Sequence, residues 1–144
     1  MAHEDYDARN THGISLDYAD FISSFRWDDY ATVTFRKSRY DAIYWSNKVA
    51  KTFERFGATR EVVCVEPNRL DGIHIHSLIR FGLSDVQTAS QTRARLWKYC
   101  FKAYGRTQIE AVNDVLAVSR YCAKYVVKGN VVHFGGLTDA WNRD

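Results

Sequence analysis

A single turn limits what this chain can fold into more than any other feature. Residues 67–72 read Pro-Asn-Arg-Leu-Asp-Gly and separate two β-rich runs, 60–66 and 72–81. Asp-Gly ahead of a β-branched run is a strong hairpin signal, because glycine accepts the positive φ that tight reversals need. The near-continuous apolar stretch Val62-Val63-Cys64-Val65 therefore folds back antiparallel onto Gly72-Ile-His-Ile-His-Ser-Leu-Ile-Arg80. A chain committed to that hairpin builds an antiparallel sheet, and its other segments must extend or cover it.

Those segments can be placed by pattern. A short helix is expected over Ser15–Phe25, with Ser15 as its cap, in an otherwise irregular leader. Tyr30-Ala-Thr-Val-Thr-Phe-Arg36 alternates and is β-branched and aromatic, which predicts a strand. Arg39–Phe56 carries apolar residues near helical period and stops at Gly57. Ser84–Tyr104 reads as a second helix, with Ser84 as cap and Gly105 after it. Thr107–Val112 is a short strand, a helix follows from Asn113 or Asp114 to about Lys128, and Val131-Val-His-Phe134 offers an edge strand. The order predicts an α+β domain with a central antiparallel sheet and helices on one face, close to a ferredoxin-like layout.

Composition narrows the class further. At 144 residues, 46% hydrophobic and 15% aromatic, the chain suits one folded domain and excludes a disordered one. No apolar run approaches the roughly 18–20 residues of a membrane span. The acidic opening Met-Ala-His-Glu-Asp-Tyr-Asp is unlike a signal or transit peptide, so a cytoplasmic protein without a membrane partner is expected. Cys64, Cys100 and Cys122 are odd in number and widely spaced, which suits reduced thiols better than a disulfide framework or a zinc knuckle. The net charge of +3 permits nucleic-acid binding without arguing for it. Its distribution says more: the first 30 residues are acid-rich, while Arg and Lys gather in 36–60, 93–106 and 120–128.

The chemistry begins inside the hairpin. Side chains two apart on a strand share a face, so His74 and His76 emerge side by side. His-X-His on its own is common at packing and surface positions. Glu66 changes its weight, because a turn centred near Arg69–Leu70 sets that acid roughly opposite Gly72–His74, on the imidazole side. Two neutral nitrogens and one anionic oxygen make an open site that suits Mg²⁺ or Mn²⁺ better than closed structural zinc.

A second pattern follows in Tyr121-Cys-Ala-Lys-Tyr-Val-Val-Lys128. Tyr121, Lys124, Tyr125 and Lys128 fall at i, i+3, i+4 and i+7, one stripe of a helix. Such a stripe normally marks a core face, yet two members are lysines, which are almost never buried unpaired. Val115, Leu116, Val118, Cys122, Ala123 and Val126 can supply the core contact instead. A lysine beside a phenol can lower its pKa or bind the phosphate that a phenolate attacks.

Together these residues resemble the HUH endonucleases, most closely the two-tyrosine rolling-circle replication initiators of small single-stranded DNA phages and plasmids. Thr32-Val-Thr-Phe35 is similar to the family's first motif, the Glu66–His74–His76 set to its second, and Tyr-x-x-Lys-Tyr-x-x-Lys to its third. The motifs stand in the family's order across residues 30–130, with 1–29 as an N-terminal segment and 131–144 as a tail or edge strand.

The resemblance implies a ferredoxin-like or RRM-like HUH nuclease fold, with His74, His76 and Glu66 holding the divalent metal. It implies Tyr121 and Tyr125 as alternating nucleophiles, with Lys124 and Lys128 at the scissile phosphate or the metal-bound water. The activity would be sequence-specific nicking and joining of single-stranded DNA or an origin hairpin, in a bacterial or archaeal host. This chain has no Gly-x-x-x-x-Gly-Lys-Ser/Thr loop, so a separate or host helicase and polymerase would be partners. Trp27, Trp45, Trp97 and Trp141 are candidates for stacking on bases, and the segments 36–60 and 93–106 for tracking phosphates. Competing readings are a small single-tyrosine HUH transposase and a non-enzymatic ferredoxin-like nucleic-acid-binding module. The doubled Tyr-x-x-Lys favours the initiator, because such transposases need one phenol per site.

Overall fold

The computed structural model describes residues 18–68, 72–83, 85–115, 119, 122–123, 131–137 and 141. Its elements are β1 (Asp29–Phe35), α1 (Ala42–Arg55), β2 (Arg60–Asn68), β3 (Gly72–Arg80), α2 (Val86–Ala103), β4 (Gly105–Ala111) and β5 (Val132–Gly136). The strands form one sheet in the order β4-β1-β3-β2-β5, and every neighbouring pair is antiparallel. β1 and β2 flank β3, and β3 and β4 flank β1, so two interleaved βαβ units make the ferredoxin-like arrangement. β5 is added outside β2. The fold is α+β, as the hairpin and the element order predict.

Local chemistry explains where the elements differ from expectation. Arg39 is not helical: its carbonyl accepts from Ile73 N at 2.8 Å, and it bridges to Gly72. α1 therefore starts after Asp41, whose carboxylate accepts from Tyr44 N at 3.0 Å. The cap of α2 is Asp85, not Ser84, because its carboxylate accepts from both Gln87 N and Thr88 N at 3.2 Å; Ser84 lies outside the described residues. β2 runs past Glu66 through Pro67 to Asn68. Proline is tolerated there because β5 pairs with residues 60–64 alone, leaving this end of β2 as an edge.

Both faces of the sheet are covered, where helices on one face alone were expected. α1 and α2 bury Val49, Phe53, Leu96 and Cys100 against Val33, Val63, Ile75 and Ile79. The opposite face carries Val62, Cys64 and Leu78, and these need cover as well. Ala19 and Ile22 from the short helical segment 18–23 supply it, with Phe25, Trp27, Cys122 and Ala123. Each Val, Leu, Ile or Phe among them, fully buried, contributes about 1.5–3 kcal/mol. β2 is apolar on both faces, which is why residues 62–65 read as a continuous hydrophobic run.

Arg60 is fully buried on this second face, over the rings of Phe25, Trp27 and Trp141 at 4.8, 5.0 and 5.9 Å. It also donates to the Arg26 carbonyl at 2.5 Å. Although it belongs to the basic segment 36–60, it is unavailable to phosphate, since the aromatic rings enclose it.

Candidate metal centre

Register brings the hairpin's polar residues into two cross-strand rows on the second face. Thr34, His74 and Glu66 form one row, and Thr32, His76 and Cys64 the next. Opposed residues of antiparallel strands share a face, so all six side chains leave the sheet on the same side. The expected position of Glu66 across from His74 is the observed one. The Thr-x-Thr strand lies beside the histidine strand, on the side away from Glu66.

Glu66 and His76 meet directly, with Oε2 2.5 Å from Nε2. His76 is 6% exposed, while the Glu66 side chain at the strand edge keeps 36% of its surface in water. The other His76 nitrogen, Nδ1, lies 3.1 Å from the Tyr30 hydroxyl and 3.5 Å from Thr32 Oγ1. Tyr30 also stacks on the imidazole, with centroids 6.4 Å apart and planes 21° from parallel. A cation on Nε2 would leave the ring proton on Nδ1, where it donates to the Tyr30 oxygen. His74 leaves the same face, and its Nε2 is shielded from solvent. Among the described residues, one ligand atom each from Glu54, Glu61 and His133 also lies within 4.8 Å of the other two.

The donor set, with two imidazoles and one carboxylate, is one that a borderline divalent ion such as Mn²⁺ would accept. Cys64 stands across from His76, and its contact with the Cys122 thiol, reinforced by burial, pushes its pKa well up. Beside that thiol the rows offer two imidazoles and one carboxylate, a mixed nitrogen and oxygen set. Glu66, His74 and His76 would hold the ion.

Tyr121, Lys124, Tyr125 and Lys128 lie outside the described residues. Their sequence neighbours Cys122 and Ala123 are helical, fully buried and packed on the histidine face beside Cys64. Of the four tryptophans, Trp27 and Trp141 belong to the Arg60 cage, and Trp45 is half-buried against Phe35 at 5.3 Å. Trp97 is 42% exposed and stacks on Phe101 at 5.2 Å, with Arg36 over the Phe101 ring. Sequence reasoning gave Tyr30 no part in the site. The signal was parity alone: it shares a face with Thr32 and Thr34.

No family model matches the chain, and no curated protein matches it. Among solved structures it is similar to the hypothetical protein ORF119 from Sulfolobus islandicus rod-shaped virus 1. The likeness covers 76% of this chain and 91% of that one, with 17% identity and a TM-score of 0.46. None of the helices among the described residues is long and apolar enough to cross a membrane.

Proposed function

We propose that this protein is a metal-dependent DNA endonuclease and strand transferase that nicks and rejoins single-stranded DNA to initiate rolling-circle replication. The observation that carries this reading is the Glu66–His76 contact in a row with His74, on the sheet face against which Cys122 and Ala123 pack. Those two residues stand in sequence between Tyr121 and Lys124, the proposed nucleophile and its phosphate ligand.

A divalent ion bound there supplies Lewis-acid polarisation of the scissile phosphate. The phenolate of Tyr121 or Tyr125 attacks phosphorus in line. A phosphorus–oxygen bond to tyrosine forms, the bond to the 3′ oxygen breaks, and that oxygen takes up a proton as a free 3′-hydroxyl. The 5′-phosphotyrosine link conserves the phosphodiester energy, so a returning 3′-hydroxyl reseals the strand without ATP. The second tyrosine cuts again while the first still holds an end. Lys124 and Lys128 neutralise phosphate charge, Tyr30 holds the His76 ring through Nδ1, and Glu66 and His76 Nε2 would both face the ion.

The test is adduct formation. Single-stranded oligonucleotides carrying the cognate origin, incubated with the protein and Mn²⁺, should give a denaturation-resistant DNA–protein adduct that a chelator prevents. Tyr121→Phe and Tyr125→Phe should each leave some adduct, and the double variant none. An adduct in the double variant would overturn the tyrosine assignment. Binding with neither adduct nor metal dependence would make the protein a nucleic-acid-binding module instead.

A further inference from the structure

The helix-covered face holds a second group of acids and a histidine, far apart in sequence. Glu61 of β2 and His133 of β5 both leave the sheet toward α1, which contributes Glu54. One ligand atom from each of the three lies within 4.8 Å of those of the other two. Glu61 Oε1 and His133 Nε2 are 3.9 Å apart. Two ligands each about 2.1 Å from one ion stand between roughly 3 and 4.2 Å apart, so that separation suits a shared cation.

Glu61 is the decisive member. It is 0% exposed, and among the described residues neither carboxylate oxygen meets a hydrogen-bond donor. A buried carboxylate so placed is costly unless a proton or a cation joins it. Burial first, and the Glu54 carboxyl second, pushes its pKa up to about 9. The space beside it is kept by Gly135, where a Cβ would collide with both Glu61 Oε1 and His133 Nε2. Glu54 also lines a groove of about 360 Å³ between α1 and the end of β5.

We propose that Glu54, Glu61 and His133 bind a divalent transition-metal ion, of the zinc or manganese kind, that staples the edge strand β5 to α1. Two carboxylates and one imidazole give such an ion three ligands, with water to complete its coordination, and their attachment to three separate elements makes its role structural. β5 otherwise holds to the sheet through β2 alone. The site lies on the opposite face from Glu66, His74 and His76, so the two can be emptied separately.

The probe is Zn²⁺ alone, added to chelator-treated full-length protein and followed by calorimetry and thermal unfolding. In the His74→Ala/His76→Ala background, or in Glu66→Gln should that variant not fold, one Zn²⁺ should still bind and raise the unfolding midpoint. His133→Ala or Glu54→Gln added to that background should weaken binding beyond the roughly 10–100-fold that loss of an outer partner costs. Both positions are at least partly exposed, so these variants keep the core intact. The His133 imidazole resonances should shift on Zn²⁺ addition. Failure of the His74→Ala/His76→Ala background to bind Zn²⁺, or binding indifferent to His133 and Glu54, overturns the site and leaves a proton shared between Glu54 and Glu61.

Discussion

Among the described residues the sheet carries a histidine–glutamate group on each face, and the two treat burial in opposite ways. On the hairpin face Glu66 keeps water on its outer side and already touches His76 Nε2. On the helix face Glu61 has no exposure and, among the described residues, no donor, and His133 stands 3.9 Å off. An acid at a wet strand edge can exchange a proton, a cation or a substrate oxygen at little cost. A dry acid enclosed by α1 and β5 has to keep whatever neutralises it. The first arrangement suits exchange at a wet site, and the second suits a neutralising partner that stays in place.

The largest expected effect would break that contrast if it failed. His76→Ala and Glu66→Gln should each lower adduct formation by about 10³-fold, since a lost Lewis acid forfeits several kcal/mol of charge stabilisation. Glu61→Gln should leave the rate within a few-fold, because its carboxylate faces the other side of the sheet. Single-turnover nicking with Mn²⁺ measures all three. Equal losses on both faces would mean that the helix-face group also supports the reaction.

The hairpin face was legible in the sequence because its parts obey short-range rules. The period of two joins His74 to His76, and Asp71-Gly72 brings Glu66 across within a few residues. Gly72 adopts φ +82 and lies against the Arg39 backbone, so its side-chain-free approach pins the start of the histidine strand. The helix-face group could not be read this way. Glu54, Glu61 and His133 meet because β5 joins β2 at the edge, and no local pattern specifies that pairing. Tyr30 escaped for the same reason, as it reaches His76 from 46 positions away. Arg60 was grouped with phosphate-tracking residues because sequence cannot reveal an aromatic cage assembled from Phe25, Trp27 and Trp141.

Arg60 gives the next effect in size, and it tests how the hairpin face is closed. Arg60→Leu keeps much of the side-chain volume but removes three ring contacts and the bond to the Arg26 carbonyl. The loss should be about 2–4 kcal/mol, from a desolvated cation–π cluster and one charge-assisted hydrogen bond. Denaturant unfolding should show a lower midpoint with an unchanged slope. An unchanged midpoint would mean that Phe25, Trp27 and Trp141 pack on the sheet without the guanidinium.

The smallest effects sharpen the contrast within the hairpin face itself. Tyr30 and Thr32 both approach His76 Nδ1, at 3.1 and 3.5 Å. The shorter contact is a good hydrogen bond and the longer one is at the limit of the geometry. Tyr30→Phe keeps the stacked ring and removes the oxygen that fixes the imidazole proton on Nδ1. It should weaken Mn²⁺ binding roughly 10–100-fold, as loss of an outer hydrogen-bond partner does. Thr32→Val should cost at most about threefold, equivalent to roughly half a kcal/mol. A purely structural role for Tyr30 would lower stability and leave the tautomer alone, so ¹⁵N shifts of the His76 ring discriminate. In the wild type with a diamagnetic ion such as Mg²⁺ the proton should sit on Nδ1, and in Tyr30→Phe that preference should weaken. If Thr32→Val proves the more damaging, the threonine of the neighbouring strand orients the histidine, and Tyr30 merely covers it.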